Sequence, residues 1–123
     1  MAELYTANVK LNNKLCIVVG GGKVAERKVQ SLLECGALVK VIALSFTATL
    51  KSMAPQKQLR LINKGFDDTD LEQAFLVISA TDNEELNQRI SDICHRRNIL
   101  VNVVDDPQKC SFYVPAVLKR GDL

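Results

Sequence analysis

The chain has 123 residues, enough for one domain with a hydrophobic core. Hydrophobic residues make up 47% of it and charged residues 24%, which is the balance of an ordinary α/β domain and excludes a disordered or membrane chain. The net charge is only +2, and the aromatic residues are two Tyr and four Phe with no Trp. Charge and aromatic content therefore give no support to a nucleic-acid partner.

The chain also lacks the usual signs of a membrane or secreted protein. No apolar run approaches the roughly 18 residues of a membrane span, and the N-terminus has no basic start followed by a long apolar core. We therefore expect a cytoplasmic protein without a membrane partner. The four cysteines, Cys16, Cys35, Cys94 and Cys110, have no C-x-x-C spacing, so we expect free thiols, with Cys16 and Cys35 packed in the core. His95 is expected on an exposed helix face, and no metal site is predicted.

Apolar runs of strand length alternate with amphipathic segments, which is typical of an α/β fold. In chain order we predict strand 15–19, helix 25–35, strand 38–42, helix 46–53, strand 59–62, a short helix beginning near 67–71, strand 75–79, a helix that carries Leu86, Ile90, Ile93 and Cys94, and strand 99–104. The order βαβαβ(α)βαβ with short connections predicts a Rossmann-like, doubly wound parallel sheet of about five strands in a single domain.

The two longer helices have predicted faces and ends. The first should end at Gly36, because glycine is favoured just after a helix C-terminus. Its predicted buried residues are Ala25, Val29, Leu32 and Leu33, and its predicted outward residues are Glu26, Arg27, Lys28 and Gln30. At the start of the last helix, Asp82 and Glu85 fit a capping-box-like pair.

The segment from Gly20 to Ala25 reads G-x-G-x-x-A between the first strand and the first helix. Gly20 allows a tight turn, Gly22 allows the backbone to approach a pyrophosphate, and Ala25 lets the helix lie against the sheet. The phosphates would bind the unpaired N–H groups of the helix N-terminus. Since ligands bind beyond the carboxyl ends of parallel strands, the expected rim of the site is 20–23, 43–45, 80–82 and 105–107. The pattern predicts a dinucleotide site.

The end of the second strand departs from the usual dinucleotide pattern. An acidic residue about 20 residues past the glycines normally binds the ribose 2′-OH, but the segment 42–45 holds no carboxylate and no arginine. The ribose would have to be held by Ser45 or by the backbone of Leu44 and Ser45. Without this acidic residue, the pattern alone gives weaker support for a typical NAD-dependent dehydrogenase.

Two adjacent carboxylates, Asp105 and Asp106, follow the last predicted strand and precede Pro107. Carboxylates at the mouth of the sheet could serve as a general base or as a transient metal ligand. Asp-Asp-Pro is also favourable turn chemistry after a strand, so the pattern leaves both interpretations open.

Several segments standing in order carry a more specific resemblance: 15–28, 43–46, 78–83 and 102–107, followed by Ser111-Phe112 and Pro115. Together they resemble the N-terminal domain of siroheme synthase, the precorrin-2 dehydrogenase/sirohydrochlorin ferrochelatase family, over about residues 8–123. The resemblance implies NAD-dependent oxidation of precorrin-2 to sirohydrochlorin, in making siroheme or cobalamin. Some members also insert ferrous iron as a second substrate.

The resemblance also implies roles for individual residues. It assigns the pyrophosphate to the turn at Gly22, Lys23 and Val24, and the adenosine side of NAD to the residues after the second strand. The implied cofactor-binding set is Gly20, Gly22, Lys23, Val24, Leu44, Ser45 and Thr81. The family's catalytic carboxylate corresponds to Asp105, which would take a proton from the macrocycle as hydride leaves for NAD. Asp106 has no firm role in the family pattern.

One departure from the family bears on activity. Family members continue past the equivalent of Leu123 into a Ser/Gly-rich segment and a helical region, which make a homodimer and help form the tetrapyrrole cleft. We therefore expect these 123 residues by themselves to bind NAD, and to be less able to catalyse turnover, which needs the tetrapyrrole cleft. The alternatives are an NAD-binding sensor without chemistry, and a small-hydroxy-acid dehydrogenase, for which no His or Lys acid–base candidate is evident near the strand ends.

Overall fold

The computed structural model describes residues 2–54, 56 and 58–114 of the chain, so Pro115 and the residues after it lie outside the described part. The elements alternate as predicted. They are β1 (Leu15–Val19), α1 (Lys23–Glu34), β2 (Leu38–Ala43), α2 (Ala48–Met53), β3 (Leu59–Asn63), β4 (Leu76–Ser79), α3 (Glu84–Arg97) and β5 (Leu100–Val103). Two short 3₁₀ helices, Asp68–Leu71 and Pro107–Lys109, follow β3 and β5. None of the helices in the described part is long and apolar enough to cross a membrane.

The five strands form one parallel sheet in the order β3-β2-β1-β4-β5. The chain moves outward from β1 to β3, returns across the sheet to β4 and continues to β5. The change of direction lies between β1 and β4, and in sheets of this kind ligands bind at that position, beyond the carboxyl ends of the strands. The predicted Rossmann-like, doubly wound architecture is therefore confirmed.

The two faces of the sheet each pack against a separate layer of helices. Along β1, Cys16 and Val18 belong to the core that contains α1 residues, while Ile17 and Val19 belong to the core that contains α3 residues. All four side chains are almost fully buried. This explains the unbroken apolar run in the sequence, because a strand covered on both faces has no polar side.

At the end of α1, the prediction for Gly36 is confirmed and the prediction for Cys35 is wrong. Gly36 has a φ of +81° just after the helix, a backbone region that favours glycine. Cys35 is exposed, so its predicted place in the core is wrong. As the C-cap, Cys35 ends the helix on the solvent side, after the buried stripe that ends at Leu32.

The start of α3 differs from the predicted capping pair. The N-cap is Asn83, whose side-chain oxygen accepts from the Leu86 N–H at 3.0 Å, and Asp82 is an exposed residue before it. The helix begins one residue later than expected because Asn83 holds the extended backbone from which a side chain reaches the third helical N–H. At the other end of the helix, Cys94 is buried and His95 is exposed, as predicted.

Candidate functional site

The glycine turn joins β1 to α1 at the carboxyl ends of β1 and β4. Gly20 has a φ of +121°, and a Cβ added there would lie 2.5 Å from the backbone oxygen of Ala80. A Cβ added at Gly21 would lie 2.0 Å from the backbone oxygen of Ser45. The turn therefore touches the loops after β2 and β4, and three of the four predicted rim segments meet at this point.

Gly22 differs from Gly20 and Gly21, because a Cβ added at Gly22 would meet nothing within 4 Å. It is the N-cap of α1 and has no side chain to cap the helix, so the first backbone N–H groups have no partner within the helix. The positive end of the helix dipole lies at the same end of α1, beside the open space around Gly22. The turn fits the pyrophosphate of a dinucleotide.

The other predicted cofactor residues surround this turn. Lys23 is exposed and Val24 is half-buried in the first turn of α1. Leu44 and Ser45 follow β2 and are exposed, with Leu44 at 75% exposure. Both residues are therefore accessible at the rim of the predicted site.

Thr81 lies after β4, beside the glycine turn, and its hydroxyl is engaged within the protein. It donates to Oδ1 of Asn87 at 2.6 Å and accepts from the Asn83 N–H at 3.2 Å. The Ser79 hydroxyl donates to the same Asn87 oxygen at 2.6 Å. Asn87, a buried residue of α3 that the sequence analysis missed, thus fixes the loop after β4.

Glu26 was expected to point away from the core, but it is 9% exposed in the first turns of α1. The reason is Thr47, whose hydroxyl donates to Oε1 of Glu26 at 2.8 Å and also accepts from the Leu50 N–H at 3.1 Å. The Thr47 backbone N–H donates to the Gly21 oxygen at 3.0 Å. Thr47 therefore ties together the glycine turn, α1 and α2.

Asp105 and Asp106 occupy different environments in the turn after β5. Asp106 pairs with Lys109, whose Nζ lies 2.5 Å from Oδ2 of Asp106 in the 3₁₀ helix that follows. This contact raises the pKa of the Lys109 ammonium. Asp105 is exposed, has a φ of +62°, and its carboxylate has no hydrogen-bond or ion-pair partner among residues 2–54, 56 and 58–114. Asn13, Gln73 and Asn98 also have a positive φ, so the unpaired carboxylate, and not the backbone conformation, sets Asp105 apart.

A cleft of about 200 Å³ lies beside this turn. It is lined by Lys28, Asn102, Val103, Val104, Asp105, Asp106, Pro107, Cys110, Tyr113 and Val114. Burial raises the pKa of the Cys110 thiol, which donates to the Val103 oxygen at 3.3 Å. Cys110 therefore acts as a neutral packing and hydrogen-bonding group within the wall.

Lys28 is the unexpected member of the cleft, because the helical pattern placed it on the outward face of α1. It is half-buried, whereas its neighbours Arg27 and Gln30 are exposed as predicted. The opposite wall of the cleft comes mainly from the end of β5 and the turn after it. The pattern of residues along α1 therefore could not predict that Lys28 lines a cleft.

Comparison with curated proteins finds siroheme synthases. The siroheme synthase of Enterobacter sp. (strain 638) is 43% identical over 114 residues, covering 93% of this chain and 25% of the relative. That of Blochmanniella floridana is 44% identical over 115 residues, covering 94% and 25%. This chain thus spans about a quarter of the length of these relatives, and the resemblance predicted from the motifs is confirmed over that part.

Comparison with solved structures gives a similar result. SirC, precorrin-2 dehydrogenase, superimposes with a TM-score of 0.85 and 28% identity, over 98% of this chain and 59% of that one. A glycerate dehydrogenase related protein from Thermoplasma acidophilum, at 17% identity and a TM-score of 0.56, shares the fold alone. A family model described as "Putative NAD(P)-binding" matches residues 7–116. The glycine turn and the match over most of the chain show that this chain belongs to the NAD_binding_7 family of NAD(P)-binding domains.

Proposed function

We propose that this domain binds NAD and belongs to an enzyme that oxidises precorrin-2 to sirohydrochlorin, a step in making siroheme or cobalamin. The observation that carries the proposal is the pairing of two features at one edge of the sheet. One is a glycine turn that opens onto a free helix N-terminus, and the other is the unpaired Asp105 carboxylate beside a cleft. The similarity to SirC, precorrin-2 dehydrogenase, supports this substrate.

In this proposal the glycine turn binds the cofactor. The backbone N–H groups at Gly22, Lys23 and Val24 would hold the pyrophosphate, since the helix dipole favours negative charge there. Leu44 and Ser45 would contact the adenosine side, with backbone groups and the Ser45 hydroxyl serving in place of the absent acid. NAD, when bound, supplies the acceptor for the hydride.

Asp105 is the proposed catalytic residue, since dehydrogenation removes a hydride and a proton from the macrocycle and the proton needs a base. A carboxylate that accepts no hydrogen bond and no ion pair within residues 2–54, 56 and 58–114 keeps its lone pairs free for that proton. Asp106 is the weaker candidate, because Lys109 already neutralises it. Asp105 is also one of the residues that line the cleft.

The test uses the full-length natural protein, incubated anaerobically with precorrin-2 and NAD while NADH absorbance is followed. We expect Asp105→Asn to lower kcat by at least about a hundredfold, the usual contribution of a general base, with the NAD Kd unchanged. Asp106→Asn is the matched control, because it removes an equal charge from the adjacent position and should retain activity within about threefold.

Three outcomes would separate the alternatives. If the wild-type protein forms no NADH, the proposed reaction is wrong. If it binds NAD but turns over no precorrin-2, a non-catalytic NAD-binding sensor is the better description. If Asp106→Asn is the variant that loses kcat, the assignment of the base to Asp105 is wrong.

The homodimer, the insertion of ferrous iron and the cytoplasmic location are further parts of the proposal. The first two derive from the motif resemblance. For the location, the four cysteines, all free and within the described residues, provide support, because disulfides are rare in the reducing cytoplasm. Sedimentation of the full-length protein tests the dimer. Loss of free sirohydrochlorin after addition of Fe²⁺ tests the iron insertion.

A further inference from the structure

Two of the charged residues that line the cleft have no ion-pair partner in the described part of the chain. Three charged residues line it, Lys28, Asp105 and Asp106, and Asp106 is neutralised by Lys109. Lys28 and Asp105 remain. Neither has an ion-pair or hydrogen-bond partner among the described residues, and no contact of 4.0 Å or less joins the two. The cleft therefore presents one uncompensated cation and one uncompensated carboxylate.

Lys28 is also less exposed than the charged residue that precedes it on α1. It is half-buried, although Arg27 beside it is exposed. A long cationic side chain commonly lays its methylene stem along apolar surface and keeps its ammonium free. An ammonium held beside the cleft in this way, with no partner in the described residues, is available for a charge-assisted hydrogen bond to an anionic group of the ligand.

The size of the cleft limits what part of a ligand it can receive. At about 200 Å³ it is smaller than the roughly 300–1,000 Å³ of sites that enclose a drug-sized molecule. The walls formed by the described residues are therefore too small to enclose a tetrapyrrole macrocycle, and we place one edge of the ring against them. In precorrin-2 and sirohydrochlorin the ring edge carries acetate and propionate side chains, each ending in a carboxylate.

We propose that Lys28 is a substrate-binding residue that pairs with an acetate or propionate carboxylate of the tetrapyrrole. This inference rests on the proposed function. The ion pair would orient one ring edge, so that a ring hydrogen faces Asp105 and not Lys28. Because Lys28 contacts a side chain remote from the reacting atoms, its removal should weaken binding in the ground state and the transition state alike.

The test measures tetrapyrrole affinity apart from turnover. Sirohydrochlorin is titrated into the full-length protein by absorbance, and its fully methyl-esterified form is titrated in parallel. We expect Lys28→Gln to raise the Kd for sirohydrochlorin about tenfold, the effect of losing one charge-assisted hydrogen bond, and Lys28→Arg to restore most of the affinity. The Kd for the ester should be the same in wild type and in Lys28→Gln.

The matched control is Arg27→Gln, which removes the same charge one position away on the exposed face of α1. It should leave the sirohydrochlorin Kd within about twofold. In steady-state assays Lys28→Gln should raise KM for precorrin-2 and leave kcat close to wild type, in contrast to Asp105→Asn. An unchanged NAD Kd in every variant shows that the fold and the cofactor turn are intact.

The outcomes distinguish this inference from the proposed function. If wild type binds and oxidises precorrin-2 but Lys28→Gln binds sirohydrochlorin as tightly, Lys28 does not contact the carboxylate and only this inference fails. An equal loss in Arg27→Gln would assign the effect to net charge and would likewise overturn it. If wild type binds no tetrapyrrole, the proposed function fails and takes this inference with it.

Discussion

Replacement of Gly21 by alanine should damage the fold, whereas replacement of Gly22 should damage only cofactor binding. The two glycines are adjacent, and the substitution adds the same methyl group at each. A Cβ at Gly21 would lie 2.0 Å from the Ser45 oxygen, but a Cβ at Gly22 would meet nothing within 4 Å. The Gly22 φ of −89° suits any residue, so backbone strain does not enter that comparison.

The size of the Gly21→Ala effect follows from that distance. The clash is roughly 1.5 Å short of an ordinary contact, so the loop holding Ser45 must move. That movement would also break the hydrogen bond from the Thr47 N–H to the Gly21 oxygen. Overpacking costs about 1–3 kcal/mol and the hydrogen bond about 1 kcal/mol, for a total of about 2–4 kcal/mol. At about 4 °C per kcal/mol, the melting temperature should fall by about 8–16 °C.

Gly22→Ala should cost about 1 kcal/mol or less, the difference between glycine and alanine at an N-cap. Its methyl group would instead occupy the space in which the pyrophosphate must approach the backbone, so the NAD Kd should rise at least about tenfold. Thermal unfolding by circular dichroism measures the first effect, and calorimetric titration with NAD measures the second. A Gly22→Ala protein that binds NAD as wild type would refute the placement of the pyrophosphate at this turn. A Gly21→Ala protein that melts as wild type would refute the packing argument.

Three further results are expected from the core and from the contacts that support the site. Thr47→Val should lower the free energy of unfolding in urea by about 1–2 kcal/mol, because it removes an N-cap and a hydrogen bond to a buried carboxylate, while Thr47→Ser should lose less than half of that. A thiol reagent at neutral pH should modify Cys35 at once and reach Cys16 and Cys94 only after unfolding; early modification of Cys16 would contradict its burial. Burial raises the pKa of Cys16 to about 11 and that of Cys94 to about 12, above the 9.0 of a free thiol. Between about pH 9 and pH 11 the folded protein therefore keeps these two protons, while the unfolded chain loses them. The free energy of unfolding should be unaffected by these thiols below about pH 9 and should fall above it by about 1.4 kcal/mol per pH unit for each thiol. Urea titrations that show no such fall would refute this expectation.

The local pattern of the chain was enough to predict the sheet and one half of the site. Uninterrupted apolar runs such as 15–19 predict strands covered on both faces, because period and hydrophobicity are properties of the segment itself. The glycine turn is local in the same sense, since Gly20 needs a positive φ and Gly22 needs an open face. The parallel doubly wound sheet, the meeting of the loops after β2 and β4 at the turn, and the end of α1 at Gly36 were all predicted from such features.

The remainder depended on which distant segments meet. Asp105 and Asp106 are the same residue type in adjacent positions, and it is the fold that distinguishes them, because a 3₁₀ helix brings Lys109 back to Asp106 and leaves Asp105 exposed. Glu26 is buried because Thr47, 21 positions further along the chain, donates a hydrogen bond to it. Lys28 lines a cleft because the turn after β5 forms the opposite wall. Helical periodicity gives the direction of a side chain but not what lies opposite it. The sequence therefore determined the fold and the glycine turn, while tertiary packing decided which charges are paired within the domain and which are not, because pairing depends on distant segments that meet only in the fold.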